Sequence, residues 1–417
     1  MQRDIIIRAM MKDYLRKPLF DALWKTLHDK PNLIQVVTGP RQVGKTTLAL
    51  QILERWKGAK IYQTADQPGI PSWEWISTHW QKARVLSQPK GQEVLLILDE
   101  AQKIPRWSGV VKKLFDEDRR LKKRIRLVLL GSSALLMQRG LTESLAGRFE
   151  VHRHNHWSFS ECREYFSLSL EEYLYFGGYP GALPLRRNQS RWARYIRDSL
   201  IETVLSKDVL LMVPVSKPAL LRQVFALAVA YPAQILSYQK MLGQLQDAGN
   251  TTTVASYIRL LSKAFLVSAL ERWSGSRIKQ RGSIPKLLVM DNALISAMTD
   301  QKFGQVKRNK VLWGRILENA VGAKLYAILQ EKGANLFYWR RRQEEVDYVI
   351  QLGDRLIAIE VKSAVPKGAE SCLISFARHY KKVEPIIISP GKDLKEKGIK
   401  YISIEKFFNE PGKSIGL

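Results

Sequence analysis

One short loop constrains this chain more than any other feature. Leu33 to Thr38 is an apolar run with the length and β-branched content of a buried strand, and Leu48 to Trp56 repeats apolar residues at helical spacing. Between them lies Gly39-Pro40-Arg41-Gln42-Val43-Gly44-Lys45-Thr46, followed by Thr47. This fits G-x-x-x-x-G-K-[ST] and sits where that pattern has physical meaning, at a strand-to-helix turn. Glycines let backbone approach phosphate closely, while loop amides and the helix N-terminus present partial positive charge. A lysine there reaches the β- and γ-phosphates, and a hydroxyl coordinates Mg²⁺. The expected cofactors are therefore ATP and Mg²⁺, held by Gly39, Gly44, Lys45, Thr46 and Thr47.

A strand of this kind needs parallel neighbours. Val94 to Leu98 and Ile125 to Leu130 supply two more apolar runs, and buried strands alternating with helices indicate a parallel α/β sheet. The first run ends in Asp99-Glu100. At a strand's carboxyl end beside a phosphate loop, the aspartate is placed to hold Mg²⁺ with Thr46. The glutamate is placed to polarise the attacking water. The second run ends in Gly131-Ser132-Ser133, and Ser132 or Ser133 is expected beside the γ-phosphate as a sensor; the competing reading is a helix N-cap. Arg148 in Ser144-Leu145-Ala146-Gly147-Arg148-Phe149 is the arginine-finger candidate, ahead of Arg139. A guanidinium stabilises charge in phosphoryl transfer, often from a neighbouring subunit, so a homo-oligomer is expected. His152, His154 and His156 alternate along a strand and share one face. Three imidazoles at that spacing suit a divalent metal, but a polar strand face is the reading favoured.

Charge points to the partner. The net charge is +28 over 417 residues, and such an excess favours polyanions through counterion release. DNA, duplex or branched, is the expected partner. No apolar run reaches the ~18–20 residues of a bilayer span, and the N-terminal apolar core is too short for a secretory signal. A cytoplasmic protein without membrane contact is expected. Cys162 and Cys372 lie far apart and form no redox or metal pattern.

The second half carries two further patterns. Leu220 to Ala230, Tyr238 to Leu245 and a helix capped by Thr251-Thr252-Thr253 precede a basic, hairpin-like stretch. In the third helix Val254, Tyr257, Ile258, Leu261 and Phe265 form one stripe. This reads as a winged helix that offers Ser256, Arg259 and Lys263 to a groove. Arg272, Arg277, Lys279, Arg281 and Lys286 would form its phosphate-binding wing. The counter-reading is a protein–protein module. Further on, Glu318 lies in an amphipathic helix, Asp347 in the strand Glu345 to Ile350, and Glu360 and Lys362 in or beside the strand Leu356 to Val361. Glu360 and Lys362 share a face. If these strands pair as a hairpin around Gly353, Asp347 approaches Glu360. Two hard carboxylates suit Mg²⁺ or Mn²⁺, and Lys362 would stabilise developing charge. This is the pattern of a PD-(D/E)xK nuclease core, which can bind DNA with or without cutting it.

Together GPRQVGKTT, LLILDEAQKIPRW, LLGSSALLM, SLAGRF, FGGYPGA, EVDYVI and IEVKSA resemble prokaryotic AAA-domain ATPases of the AAA+ kind. Those proteins have a C-terminal domain of unknown function with a restriction-endonuclease-like core. The resemblance covers roughly residues 15 to 390. It implies a multidomain α/β chain. Residues 1–30 would be an N-terminal helical segment, 31–158 an AAA+-like ATPase core and 159–213 a helical lid. Residues 214–300 would be a winged helix, and 310–417 a nuclease-like domain. It carries nucleotide roles to Gly44, Lys45, Thr46, Asp99 and Glu100, and the finger role to Arg148. Nuclease-like roles go to Glu318, Asp347, Glu360 and Lys362. The histidine-rich strand after Phe149, and Trp157, depart from the family pattern. The leading functional expectation is an ATP-hydrolysing protein that acts on or with DNA, with metal-dependent nuclease chemistry as an added expectation. The alternative is a nucleotide-gated switch whose C-terminal domain binds a partner protein.

Overall fold

The computed structural model describes residues 14–69, 71–88, 92–131, 144–209, 217–245, 250–275, 280, 282–365 and 370–417. The chain divides into two compact units, Met1–His156 and Trp157–Leu417.

The first unit is a five-stranded sheet. Its strands are β1 (Ile34–Thr38), β2 (Ala59–Thr64), β3 (Val94–Asp99), β4 (Ile125–Gly131) and β5 (Phe149–Arg153), in the order β2-β3-β4-β1-β5. Every pairing is parallel. Parallel strands need crossover helices, and helices on both faces bury each strand twice. That is why β1 and β3 are buried along their whole length. Alternate residues of β3 part company accordingly. Val94, Leu96 and Leu98 pack with Ile76, Trp80 and Val111 of the helices Trp73–Leu86 and Trp107–Arg120. Leu95 and Ile97 pack with Leu48, Ile52 and the N-terminal helix Lys17–His28. That helix buries Phe20, Leu23 and Leu27, with Leu19 only half-buried. Asp118 receives the indole N–H of Trp80 at 2.6 Å and Arg84 at 2.7 Å, which fastens the two helices of one face together.

The second unit begins with the helices Phe159–Phe166 and Leu170–Phe176, each started by a serine capping box. It then builds an eight-stranded mixed sheet. Its strands are β6 (Val267–Arg272), β7 (Lys286–Val289), β8 (Leu336–Arg341), β9 (Glu344–Leu352), β10 (Arg355–Val361), β11 (Val383–Ser389), β12 (Leu394–Glu396) and β13 (Ile399–Ser403). The order is β12-β13-β11-β10-β9-β8-β6-β7. The expected hairpin around Gly353 is present: β9 and β10 pair antiparallel, with Arg355 opposite Leu352, and Gly353 has φ +58°.

Three helices precede the β6–β7 hairpin, as a winged helix would have them: Pro218–Ala230, Tyr238–Leu242 and Thr251–Lys263. Three details differ from expectation. The third helix is capped by Asn250, whose side chain accepts the Thr253 N–H at 2.8 Å, rather than by the threonines. Phe265 lies past the helix end in a left-handed turn. The hairpin is not a free wing either, because β6 also pairs parallel with β8, at Glu271–Phe337 and Arg272–Tyr338. One sheet thus draws strands from both sides of the boundary expected between residues 300 and 310. Arg259 and Lys263 are exposed as expected, and Ser256 is half-buried. Arg277, Lys279 and Arg281 lie outside the described residues.

Asp291 is a buried acid that fixes this unit's interior. Its carboxylate accepts the Gly178 N–H and the Ala293 N–H, each at 2.8 Å. Burial pushes its pKa up to about 7 from the usual 3.8, and the two amides oppose the rise only in part. A carboxyl raised in the fold holds its proton there while the unfolded chain has lost it. Stability is therefore fully present below about pH 4 and is lost as pH rises through about 7. The Asp291→Asn variant should lack this slope. Urea unfolding from pH 4 to pH 8 should show wild type losing at most about 4 kcal/mol more than the variant; parallel curves would remove Asp291 as the source.

Candidate nucleotide site

The phosphate loop leaves β1 at Thr38 and enters the helix Lys45–Arg55 at Lys45. Gly44 takes φ +98° as the helix N-cap, a conformation glycine adopts without steric cost. Gly39 is required for a different reason. A Cβ there would lie 2.1 Å from the carbonyl oxygen of His154. Its missing side chain lets the segment after β5 run against the loop, rather than opening space for phosphate. His154 donates its Nε2 proton to the Val43 carbonyl at 3.0 Å, and its own amide bonds the Thr38 carbonyl at 2.8 Å. One histidine thus braces both ends of the loop. Lys45 crosses the loop's interior, with Nζ 2.5 Å from the Pro40 carbonyl and 3.0 Å from that of Gly39. Thr47 follows as a half-buried residue of the first helical turn.

Asp99 ends β3 beside the loop, as the sequence implies. Its Oδ2 accepts the Thr46 hydroxyl at 3.1 Å, and also the Tyr62 hydroxyl at 2.8 Å. Burial raises the Asp99 pKa, the Tyr62 hydrogen bond opposes that, and neighbouring Glu100 raises it further. A hydroxyl and a carboxylate from two elements converge here, the hard oxygen set that suits Mg²⁺. Glu100 has φ +58°, sparsely populated for a non-glycine residue. Its Oε2 accepts the side-chain N–H of Gln102 at 2.7 Å, and Lys103 Nζ is 3.9 Å away. Tyr62 and Gln102 escaped the sequence reading. Gln102 lies within LLILDEAQKIPRW but was given no role there, and Tyr62 is on the neighbouring strand, where β2–β3 register sets it opposite Ile97. Only the pairing reveals it.

Other expected residues stand apart from this cluster. Arg148 is held by Asp116 through two bonds, Nε at 2.8 Å and Nη2 at 3.0 Å. Ser132, Ser133 and Arg139 lie outside the described residues. The three histidines do not converge on a metal. His152 Nε2 bonds Gln35 at 2.7 Å, whereas His154 is buried and His156 half-buried. Desolvation lowers all three pKa values, that of His156 to about 3, with Arg16 adding to the effect on His154 and His156. His152 lies on β5, whereas His154 and His156 follow its end at Arg153, so the three do not share one strand face.

The C-terminal unit brings its expected residues together. Beyond the Ile359–Tyr348 pair, the β9–β10 ladder gives way to side-chain bonding. Asp347 Oδ2 takes the Val361 N–H at 2.8 Å, and Glu360 Oε1 accepts from Lys362 at 2.5 Å. Burial, then the nearby Asp347 charge, raises the Glu360 pKa. Glu318 joins from the helix Lys310–Glu331. Lys286 is the correction here. Expected on a phosphate-binding wing, it is fully buried on β7, its Nζ 2.6 Å from Glu318, 3.2 Å from Glu345 and 3.4 Å from Asp347. A wing lysine must be exposed, and pairing of β7 against β6 turns this one inward.

Comparison with known proteins matches three segments of the chain. Residues 31–163 match the family model described as an AAA domain. Residues 167–304 and 313–407 match two domains of unknown function, DUF8612 and DUF4143. Uncharacterized proteins of Mycobacterium tuberculosis and Mycobacterium bovis are each 27% identical over 377 residues, covering 89% of this chain and 79% of theirs. One of Methanocaldococcus jannaschii is 24% identical over 340 residues, covering 77% of this chain and 72% of its own. Among solved structures, Aeropyrum pernix Orc1 in complex with DNA has 16% identity and TM-score 0.32, covering 71% of this chain and 95% of Orc1. AMPPCP-bound DnaA from Aquifex aeolicus has 18% identity and TM-score 0.31, covering 58% of this chain and 86% of DnaA. The family match spans the sheet, the phosphate loop and the Asp99-Glu100 strand end, so residues 31–163 carry the likeness to an AAA domain with a P-loop.

Proposed function

We propose that this protein binds and hydrolyses ATP at the Lys45–Thr46–Asp99–Glu100 site and does so while acting on DNA as a homo-oligomer. The observation that carries the ATPase reading is the convergence of Thr46 and Tyr62 on the Asp99 carboxylate beside the loop. Bound Mg²⁺ would supply charge neutralisation between the β- and γ-phosphates. The chain's own residues do the rest. Gly39 to Thr47 wrap the phosphates, with backbone amides facing the oxygens. Lys45 exchanges its loop carbonyls for phosphate oxygens, which are stronger acceptors for an ammonium. Glu100 turns from Gln102 toward water and accepts its proton as the water oxygen bonds the γ-phosphorus and the bond to the β-phosphate oxygen breaks. Ser132 would sense the γ-phosphate.

DNA is supported by the net charge of +28 and by exposed Arg259 and Lys263 on one helix. Affinity of that kind falls steeply with salt. Arg148 is proposed as the finger for a neighbouring subunit. It must leave Asp116 to act, and a half-exposed ion pair costs little to break. A gating role without turnover is the competing reading, and turnover separates the two.

Three outcomes are expected. Glu100→Gln should bind ATP as wild type does, while hydrolysis falls by about 10²-fold or more; hydrolysis at the wild-type rate removes Glu100 as activator. Tyr62→Phe loses one hydroxyl bond to Asp99, so Mg-ATP affinity should fall about three- to tenfold while affinity for ATP in EDTA stays constant. Titration with a fluorescent nucleotide, with and without Mg²⁺, reads this directly, and equal losses would place Tyr62 in structure alone. Arg148→Ala should spare ATP binding and lower turnover about 10³-fold, with a DNA-stimulated ATPase assay on forked, duplex and single-stranded substrates as readout. Undiminished turnover would exclude a finger role.

A further inference from the structure

The carboxylate cluster of the C-terminal unit holds a cation that belongs to the chain. Glu318, Glu345 and Asp347 each aim one carboxylate oxygen into a common space, and these oxygens lie within 4.8 Å of one another. Such a hard, trivalent set is what a divalent ion seeks. Lys286 Nζ lies in the same space. Its contacts are Glu318 Oε1 at 2.6 Å, Glu345 Oε1 at 3.2 Å, Asp347 Oδ1 at 3.4 Å and the Asp347 carbonyl at 3.3 Å. The lysine side chain is 0% exposed, and its ammonium also stands 5.1 Å from the Tyr348 ring centroid.

Two further ligand atoms are committed as well. Asp347 Oδ2 is taken by the Val361 amide, and Glu360 Oε1 by Lys362. Of the Asp347 and Glu360 oxygens, Glu360 Oε2 alone is buried without a hydrogen-bond partner. A divalent ion sharing the three facing oxygens would meet the ammonium at contact range, charge against like charge. Asp347 and Glu360 therefore do not fit a nuclease metal as they stand.

We propose that Lys286 is the resident cation of this pocket, in the place of a divalent metal, and that the pocket is closed to Mg²⁺ and Mn²⁺ while Lys286 fills it. The lysine arrives from β7, a strand distant in sequence from the carboxylates, so the unit neutralises the cluster by its own folding. Nucleic-acid contact by this unit then needs no metal at Asp347, and phosphodiester cleavage has no metal to run on.

The test is Mn²⁺ binding to the nucleotide-free full chain, followed by electron paramagnetic resonance. All proteins carry Asp99→Asn, which silences the nucleotide-site metal. Adding Asp347→Asn should leave Mn²⁺ binding unchanged, since no ion is there to lose. Lys286→Ala should gain about one Mn²⁺ per chain, and the gain should vanish in the Lys286→Ala/Glu345→Gln pair. If Lys286→Ala is destabilised by its unpaired carboxylates, Mn²⁺ should raise its melting temperature and leave that of the Lys286 parent unchanged. Glu345→Gln, at the half-exposed rim, replaces Asp347→Asn should that variant not fold. Mn²⁺ binding in the Lys286 parent that either carboxylate variant abolishes would overturn the proposal. So would a folded Lys286→Ala protein that binds no Mn²⁺.

Discussion

The carboxylate of Asp99 is the point on which the N-terminal unit turns. It ends β3, and through one oxygen it receives the hydroxyls of Thr46 on the helix after β1 and Tyr62 on the adjacent strand β2. Three elements that share no local sequence are thereby referenced to a single atom. The parallel topology makes this unavoidable. Strands buried on both faces expose side chains freely only at their ends, and in a parallel sheet those ends coincide. A carboxylate placed there is buried, which raises its pKa. Two hydroxyl donors offset part of the desolvation and set the direction in which its other oxygen faces. Phosphate-loop geometry depends on the same economy of contact: His154 takes the space a side chain at Gly39 would need, and in return bonds the loop carbonyl of Val43.

The C-terminal unit solves a different problem, that of a buried ammonium. Taking a lysine fully out of water costs several kcal/mol even after relaxation. Glu318, Asp347 and Glu345 offset that cost and hold the Lys286 pKa well above its ordinary value despite the burial. Removing either side of such a pair is worse than never having had it, because the survivor is a buried uncompensated charge. The helix Lys310–Glu331 is locked to β7 by further polar contacts, since buried Asn319 exchanges two bonds with the Val289 backbone, at 2.9 and 2.8 Å. Strand β7, its lysine and the glutamate helix therefore behave as one assembly.

What could be read from the sequence follows from how local each signal is. The phosphate loop and the Asp99-Glu100 strand end were legible because strand, turn and helix are contiguous, so spacing alone fixes geometry. The β9–β10 hairpin was legible for the same reason, and it set Asp347 beside Glu360 as the alternation around Gly353 required. Partners that arrive through sheet order were not legible. Tyr62 reaches Asp99 only because β2 lies next to β3, and no residue pattern within β2 announces that neighbour. Lys286 shows the same limit more sharply. In sequence it closes a run of arginines and lysines, which reads as a solvated basic face. In the fold, pairing of β7 with β6 turns the same side chain toward three carboxylates. The sign of a site's electrostatics is a sum over everything near it. A motif names one side of that sum, and a cation delivered from another strand decides whether carboxylates of the right type and spacing face a metal or an ammonium.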